Sequence, residues 1–179
     1  EEIALAISSK GVVQIHSLPN WDVLTEKQMG KIIDGSIFTG NKLAILNTNC
    51  PSIYDFDFVE IQKFKKPFMP LDVFNFTSLQ VCNNIIYCTS SNGNLFSYDS
   101  RINENPTIVG LTGRPTLTSI SADQETVIVS TDQGKIYIVD PRMNRTLSII
   151  DLAPFSQLNA IIDGISRREQ APWSLCFQF

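Results

Sequence analysis

The chain has 179 residues, of which 43% are hydrophobic and only 18% are charged. This composition predicts one compact domain with a sizeable core and excludes the charge-rich, apolar-poor kind of chain that stays disordered. The formal net charge is −4, and no run of Lys or Arg exceeds Lys65-Lys66. Nucleic acid is therefore disfavoured as a direct partner, because its binding requires clustered cations.

The sequence contains no apolar stretch near the roughly 18 residues that cross a bilayer, and no leader-like N-terminus. The four cysteines lack a close CxxC pair, and the one histidine is His16. We therefore expect no membrane span, no metal site and no cofactor, and reduced thiols inside the cell, in cytoplasm or nucleus. Since the chain begins at Glu1 and ends at Phe179 within a strand pattern, we expect both ends to be cuts in a longer polypeptide.

Four segments, 4–17, 44–57, 86–99 and 127–140, share one pattern. Each has an apolar run, a polar cluster that ends in Gly or Pro, and a second alternating run, which together predict a β-hairpin. The turn residues Gly11, Pro51, Gly93 and Gly134 are 40, 42 and 41 residues apart. In the fourth hairpin, the alternation predicts that Ile136 faces the core.

Short strand patterns flank the hairpins, at 73–76 and 107–109 around the third and at 116–121 and 146–150 around the fourth. Four strands in about 41 residues are typical of a β-propeller blade. The sequence thus predicts an all-β propeller fragment with about four four-stranded blades. The predicted blades are 1–27, 28–67, 68–110 and 111–151, followed by an insertion at 154–170 and the start of a next blade at 171–179.

The third and fourth units carry a family resemblance. The stretches GNLFSYDSR (93–101) and GKIYIVDPR (134–142) resemble the Gly-x-Ile-x-Ile-Trp-Asp-x-Arg motif of WD repeats. Tyr98, Val139, Phe56 and His16 replace the motif's Trp. The resemblance implies a divergent member of the WD-repeat family, with seven blades as the common number. The stretch 11–17 followed by Leu18-Pro19 equally resembles a divergent propeller, such as those of vesicle-tethering or coat subunits.

The Asp-x-Arg steps recur 41 residues apart, with Asp99 and Arg101 in one and Asp140 and Arg142 in the other. We expect them at equivalent corners of adjacent blades. Each Asp is expected to accept backbone hydrogen bonds in its turn while each Arg lies on the surface. The resemblance offers a second interpretation, in which such boxes contact the adaptor of cullin-4 ubiquitin ligases. Tyr98 belongs to the same candidate partner-binding set.

Two further stretches are candidates for partner binding. Trp21 lies in a loop and combines a large apolar ring with a polar N–H group. In the 154–170 insertion, Phe155, Leu158 and Ile162 follow helical spacing, and Arg167 and Arg168 follow them. This segment either caps the propeller rim or binds a partner.

No group of residues in the sequence indicates a catalytic site. His16 occupies a position where the other units have an aromatic or aliphatic residue, and Asp55 and Asp57 are expected on a solvated face. We therefore expect a non-catalytic interaction scaffold in a eukaryotic intracellular multiprotein complex, with further blades from the same or another chain. The alternatives are a ligase substrate receptor and a tethering or coat subunit.

Overall fold

The computed structural model describes residues 2–38, 40–67, 69, 73–102, 104–152 and 173–175, the last three by their backbone alone. These ranges form sixteen β-strands and no helix. The strands are β1 (Ile3–Ser8), β2 (Val12–Ser17), β3 (Val23–Gln28), β4 (Ile32–Phe38), β5 (Lys42–Asn47), β6 (Pro51–Asp55), β7 (Glu60–Lys63), β8 (Phe76–Cys82), β9 (Ile85–Ser90), β10 (Asn94–Asp99), β11 (Thr107–Gly110), β12 (Leu117–Ala122), β13 (Val127–Thr131), β14 (Lys135–Asp140), β15 (Arg145–Asp151) and β16 (Trp173–Leu175).

The strands form four four-stranded antiparallel sheets. The second, third and fourth sheets each consist of four consecutive strands, β4 to β7, β8 to β11 and β12 to β15. The first sheet has the order β16-β1-β2-β3. The all-β class and the four strands per unit predicted from the sequence are thus confirmed, and the repeated blade-like sheets fit a β-propeller arrangement.

Three of the four hairpin turns contain the same hydrogen bond from a backbone N–H to a side-chain hydroxyl. The hydroxyl groups of Ser8, Ser90 and Thr131 each accept a hydrogen bond from the backbone N–H four residues later, at 3.0, 3.1 and 3.0 Å. The glycine before each donating residue has a φ between 72° and 80°, a region that costs other residues about 1–2 kcal/mol. In the second hairpin, Pro51 begins the strand, and the side-chain oxygen of Asn47 accepts two backbone N–H groups instead.

The sheets stack in chain order through their first strands. β4 packs against β1, β8 against β4 and β5, and β12 against β8 and β9. We call the face of each sheet that turns toward the preceding sheet its front face, and the other its back face. In β5, Leu43 and Ile45 lie on the front face in the cluster shared with the first sheet, whereas Ala44 and Leu46 lie on the back face in the cluster shared with the third sheet. The middle sheets therefore bury both faces.

The fourth sheet buries only its front face within the described residues. Tyr137 and Val139 of β14 are 3% and 0% exposed and pack toward the third sheet. Ile136, which the sequence predicts to face the core, is half-buried on the back face. The difference arises because no described sheet follows the fourth one.

One carboxylate links the second and third sheets. Asp34 of β4 accepts hydrogen bonds from Ser78 Oγ at 2.8 Å and from the Leu79 N–H at 2.7 Å. The strand registers shift at this point, between Ile32 and Asp34 and between Phe76 and Ser78. Burial raises the pKa of Asp34 above its ordinary value, although its hydrogen bonds act in the opposite direction.

Two segments differ from the predicted boundaries. The strand before the third hairpin is β8, at 76–82 rather than 73–76, and Val73 is 95% exposed. Of the predicted further blade at 171–179, the described residues 173–175 pair with β1, with Leu175 opposite Ala6. This pairing supplies a neighbour to an edge of β1 that would otherwise be bare. Within the described ranges, no helix is long and apolar enough to cross a membrane.

Candidate protein-interaction site

In the first Asp-x-Arg step, the Arg is hydrogen-bonded to the Asp of the same step. Asp99 Oδ1 accepts the backbone N–H of Arg101 at 2.9 Å, as expected for a turn after a strand. The Arg101 guanidinium also donates to this carboxylate, from Nε at 2.9 Å and from Nη2 at 2.6 Å. These bonds hold the pKa of Asp99 below its ordinary value. The charge of Arg101 is therefore balanced within its own turn.

The second step has the same backbone turn and a different side-chain arrangement. Asp140 Oδ1 accepts the N–H groups of Arg142 and Met143 at 2.9 and 3.1 Å. Arg142 Nε, however, lies 4.0 Å from Asp140, and its Nη2 lies 3.9 Å from Glu125. Both distances exceed a hydrogen bond. The Arg142 side chain is 65% exposed, so its guanidinium is only loosely engaged.

The two steps meet at one pocket between the third and fourth sheets. The pocket has a volume of about 270 Å³, which is below the usual range for drug-sized ligands. Asp99 lines it from the third sheet and Arg142 from the fourth. The complete lining is Ile85, Tyr87, Ser97, Asp99, Ile102, Thr107, Pro141 and Arg142. The pocket thus combines apolar side chains with hydroxyl groups, the Asp99 carboxylate and the Arg142 guanidinium.

Most of the lining residues from the third sheet were not predicted. They are neighbours across its strands, since Ser97 lies opposite Tyr87 and Thr107, and Asp99 lies opposite Ile85. Residues directly opposite each other in a sheet share a face. The hairpin register predicted for 86–99 would therefore have identified Tyr87, whereas Ile85 lies just before the predicted hairpin and Thr107 required the position of β11.

Tyr98 lies apart from this pocket. It is 1% exposed and belongs to the cluster between the second and third sheets. Its ring contacts that of Phe64, with a centroid separation of 5.3 Å. The sequence grouped Tyr98 with the partner-binding residues, but successive residues of a strand point to opposite faces, so Tyr98 faces the core while Asp99 reaches the pocket.

Trp21 lies on the surface of the first sheet, in the turn between β2 and β3. It is 46% exposed and has a φ of 61°. Its carbonyl oxygen lies 3.1 Å from His16 Nδ1, its N–H donates to the Ser17 carbonyl at 2.9 Å, and its ring meets the His16 ring edge to face. The turn therefore holds an exposed aromatic ring on a hydrogen-bonded backbone.

Five other predicted partner-binding residues lie outside the described residues. They are Phe155, Leu158, Ile162, Arg167 and Arg168. The site described by the structure therefore consists of the pocket with its Asp-x-Arg turns, and separately of the Trp21 turn.

Together, the fold and site define an all-β chain of repeated four-stranded sheets with a mixed charged and apolar pocket between two of them. No protein-family model and no curated protein matches the sequence. Among solved structures, the chain is similar to the computationally designed Ika8 protein, with 16% identity and a TM-score of 0.64 over 84% of this chain and 46% of that chain. It is also similar to Raptor of Chaetomium thermophilum, with 16% identity and a TM-score of 0.68 over 82% of this chain and 15% of that chain.

At these identities the likeness shows the fold alone. The chain spans less than half of either solved chain, at 46% and 15%. The same arrangement of sheets thus occurs within longer polypeptides.

Proposed function

We propose that this chain is part of a non-catalytic protein-interaction scaffold in an intracellular multiprotein complex. Its four sheets would belong to a larger propeller of the WD-repeat type, for which the resemblance implies seven blades. The observation that carries the proposal is the pocket between the third and fourth sheets, where the loosely engaged Arg142 guanidinium stands beside apolar walls.

The chemistry of this pocket favours recognition of a peptide side chain. Ile85, Tyr87 and Ile102 offer an apolar surface, and Arg142 offers donors for an acidic group next to it. Arg and aromatic residues are enriched among the residues that dominate binding at protein interfaces. The exposed Trp21 ring supplies a second anchor of the same kind, on the first sheet.

Titratable groups in the pocket and elsewhere among the described residues favour a binding role over a catalytic one. Burial raises the pKa of the Cys50, Cys82 and Cys88 thiols, which favours the less nucleophilic protonated form. Asp99 is held ionised by Arg101, which lowers its pKa and disfavours work as a general base near neutral pH.

Affinity purification of the full-length protein tests this function. The Arg142→Asp variant is expected to recover specific partner proteins about tenfold less than the unmodified protein, which corresponds to about 1.4 kcal/mol. Arg145→Asp is the matched control, because Arg145 is an exposed arginine three residues away and outside the pocket. Equal recovery with Arg142→Asp and the unmodified protein would contradict a role for this pocket.

A second candidate function is that of a substrate receptor of a cullin-4-type ubiquitin ligase. The observation in its favour is that both Asp-x-Arg turns lie at equivalent positions of adjacent sheets, after β10 and β14. By resemblance, the ligase adaptor would contact Arg101 and Arg142 together. Reversing both to Asp should then abolish recovery of the adaptor in a pulldown, and unchanged recovery would exclude this candidate.

A further inference from the structure

The back face of the fourth sheet carries a continuous apolar patch. Ile128 lies opposite Ile138, and Ile136 lies opposite Ile150. Ile128 and Ile150 remain 43% and 44% exposed. Four isoleucines on three neighbouring strands are thus left in contact with solvent. We call Ile128, Ile136, Ile138 and Ile150 the back patch.

The sequence of these strands is that of a sheet buried on both faces. In β13 and β14, apolar residues occupy consecutive positions, as in β5, whose two faces are both covered. Consecutive apolar positions mark strands with protein on either side, whereas alternation marks a strand with one solvated face. β2 alternates, with Val13 and Ile15 buried and Gln14 and His16 on the other face. Among the described residues, the fourth sheet therefore lacks the second neighbour that its sequence predicts.

The face of the first sheet that points away from the second sheet, which we call its front face, is the other uncovered face among the described residues. Ala4 lies opposite His16, and Ala6 lies opposite Gln14, so small and polar side chains stand where the other front faces carry large apolar ones. Some of the polar groups on this face are bonded within the first sheet. Gln14 Nε2 donates to the Glu26 carboxylate. The ring nitrogens of His16 lie 3.3 Å from Gln14 Oε1 and 3.1 Å from the Trp21 carbonyl oxygen, and because both partners are acceptors, a neutral imidazole donates to only one of them.

We propose that the back patch is covered by the front face of the first sheet of a second copy of this chain, and that the relation is reciprocal. The inference rests on the larger propeller of the proposed function and names a second copy of this chain as the source of the neighbouring sheets. Large isoleucine side chains would pack against Ala4 and Ala6, which leave room for them.

Three observations favour this occupant. Every described contact between neighbouring sheets is of the back-to-front kind, so the same relation between copies continues an existing interface. The described residues after the fourth sheet, β16, pair in the first sheet, so the described ranges contain no fifth sheet. Finally, the chain matches 46% of the Ika8 chain, so two copies account for nearly the whole of that structure.

The size of the contact favours a closed pair over a single contact. A face of four strands, with strands about 4.8 Å apart and about 3.3 Å per residue, measures roughly 400 Å². One contact between two such faces buries roughly 800 Å², which is small for a stable complex. Two reciprocal contacts bury roughly 1,600 Å², the usual size of a specific interface.

Sedimentation velocity of the unmodified 179-residue chain is the first test. We expect a dimer, and the variants Ile128→Glu and Ala6→Lys are each expected to raise its dissociation constant at least tenfold, because each introduces a charge into both reciprocal contacts. Ile61→Glu on β7 is the matched control, since Ile61 is 50% exposed on a strand of the second sheet and outside the back patch. It should leave the dimer unchanged.

Mixing the Ile128→Glu and Ala6→Lys variants provides a test that misfolding cannot imitate. In a mixed dimer, the carboxylate introduced in one copy would meet the ammonium group introduced in the other at one contact, and the second contact would be unmodified. We therefore expect the mixture to form a dimer that neither variant forms alone, whereas Ile128→Glu mixed with Ala6→Glu should not.

Several outcomes would overturn the inference. They are a monomeric unmodified chain, growth beyond dimers, loss of the dimer in Ile61→Glu, or no restoration in the mixture. If Ile128→Glu abolished the dimer while Ala6→Lys left it normal, two back faces would be paired with each other. That result would also contradict the back-to-front contact. Partner recovery with Arg142→Asp is a separate readout, so a failed dimer and a failed scaffold function are distinguishable.

Discussion

Arg101 and Arg142 follow the same Asp-x-Arg spacing, yet their environments differ. Arg101 donates to the carboxylate two residues earlier, a contact that lies within the motif. Arg142 lies 3.9 Å from Glu125, which precedes β13, so the proximity of the two side chains depends on how the hairpin β13–β14 brings two turns together. The sequence predicts the backbone turn at both sites because a short-range Asp contact determines it. It does not distinguish the two guanidinium groups.

Tyr98 leads to a prediction about stability. Its hydroxyl is buried and has no hydrogen-bond partner among the described residues, and leaving a buried polar group unpaired costs about 1–3 kcal/mol. We expect Tyr98→Phe to raise the free energy of unfolding by about 1 kcal/mol, measured by urea denaturation.

Tyr137 provides the matched control for this substitution. It is similarly buried, at 3% exposure, but its hydroxyl donates to the Thr112 carbonyl at 3.0 Å. Tyr137→Phe should therefore lower the free energy of unfolding by about 1 kcal/mol. Equal effects of the two substitutions would show that the Tyr98 hydroxyl has a partner after all.

At the scale of elements, the turns before β10 and β12 allow a paired test of glycine. Gly93 has a φ of 77°, and a Cβ there would lie 2.5 Å from the Arg114 Cα, a backbone atom that cannot move aside cheaply. Gly113 has a φ of 84° and open space around the equivalent position. Gly113→Ala should cost about 1–2 kcal/mol from the backbone conformation alone. Gly93→Ala should cost about 3 kcal/mol or more, and similar urea midpoints for the two variants would contradict this difference.

The Asp34 carboxyl group, which links the second and third sheets, predicts that the stability of the fold depends on pH. Because burial raises its pKa above 3.8, the folded chain retains this proton at pH values where the unfolded chain has lost it. The contribution of Asp34 to stability is therefore fully present below about pH 3.8 and is lost as pH rises through the raised pKa. Asp34→Asn cannot ionise, so its stability relative to the natural chain should improve between about pH 4 and pH 7.

Asp123 provides a control of opposite sign. Its carboxylate accepts backbone N–H bonds from Glu125 and Thr126, which lower its pKa. Its contribution is present above the ordinary value of 3.8 and is lost as pH falls through the lowered pKa. Asp123→Asn should therefore lower the free energy of unfolding, relative to the natural chain, more at neutral pH than at acid pH. Parallel urea titrations of both variants at several pH values measure the two trends.

Hairpins could be predicted from the sequence more readily than the strands around them. The second and third strands of each sheet are joined by a short turn, so local pattern and turn chemistry determine their register. β8 was missed in part because the register shift between Phe76 and Ser78 interrupts its alternation. Its buried residues Phe76, Leu79 and Val81 consequently do not follow a strict two-residue period.

For the whole molecule, the number of sheets and their chain order follow from a repeat that is visible in the sequence. The sequence does not show which sheet faces remain uncovered, because a residue such as Ile128 is equally apolar whether or not another sheet packs against it. The pocket at Arg142 likewise requires two sheets to be placed side by side. The sequence therefore predicts the repeated unit, while the sites arise from how the units are assembled.

The pairing of β16 with β1 has a consequence for synthesis of the chain. Every other described strand pair joins neighbours in the sequence, whereas this one joins Trp173 to Ser8. As the polypeptide leaves the ribosome, the second, third and fourth sheets can each form from strands already emerged, but the sheet begun first must wait for β16. A chain interrupted before residue 173 would display the unpaired backbone of β1, which is the kind of edge that recruits aggregation or chaperones.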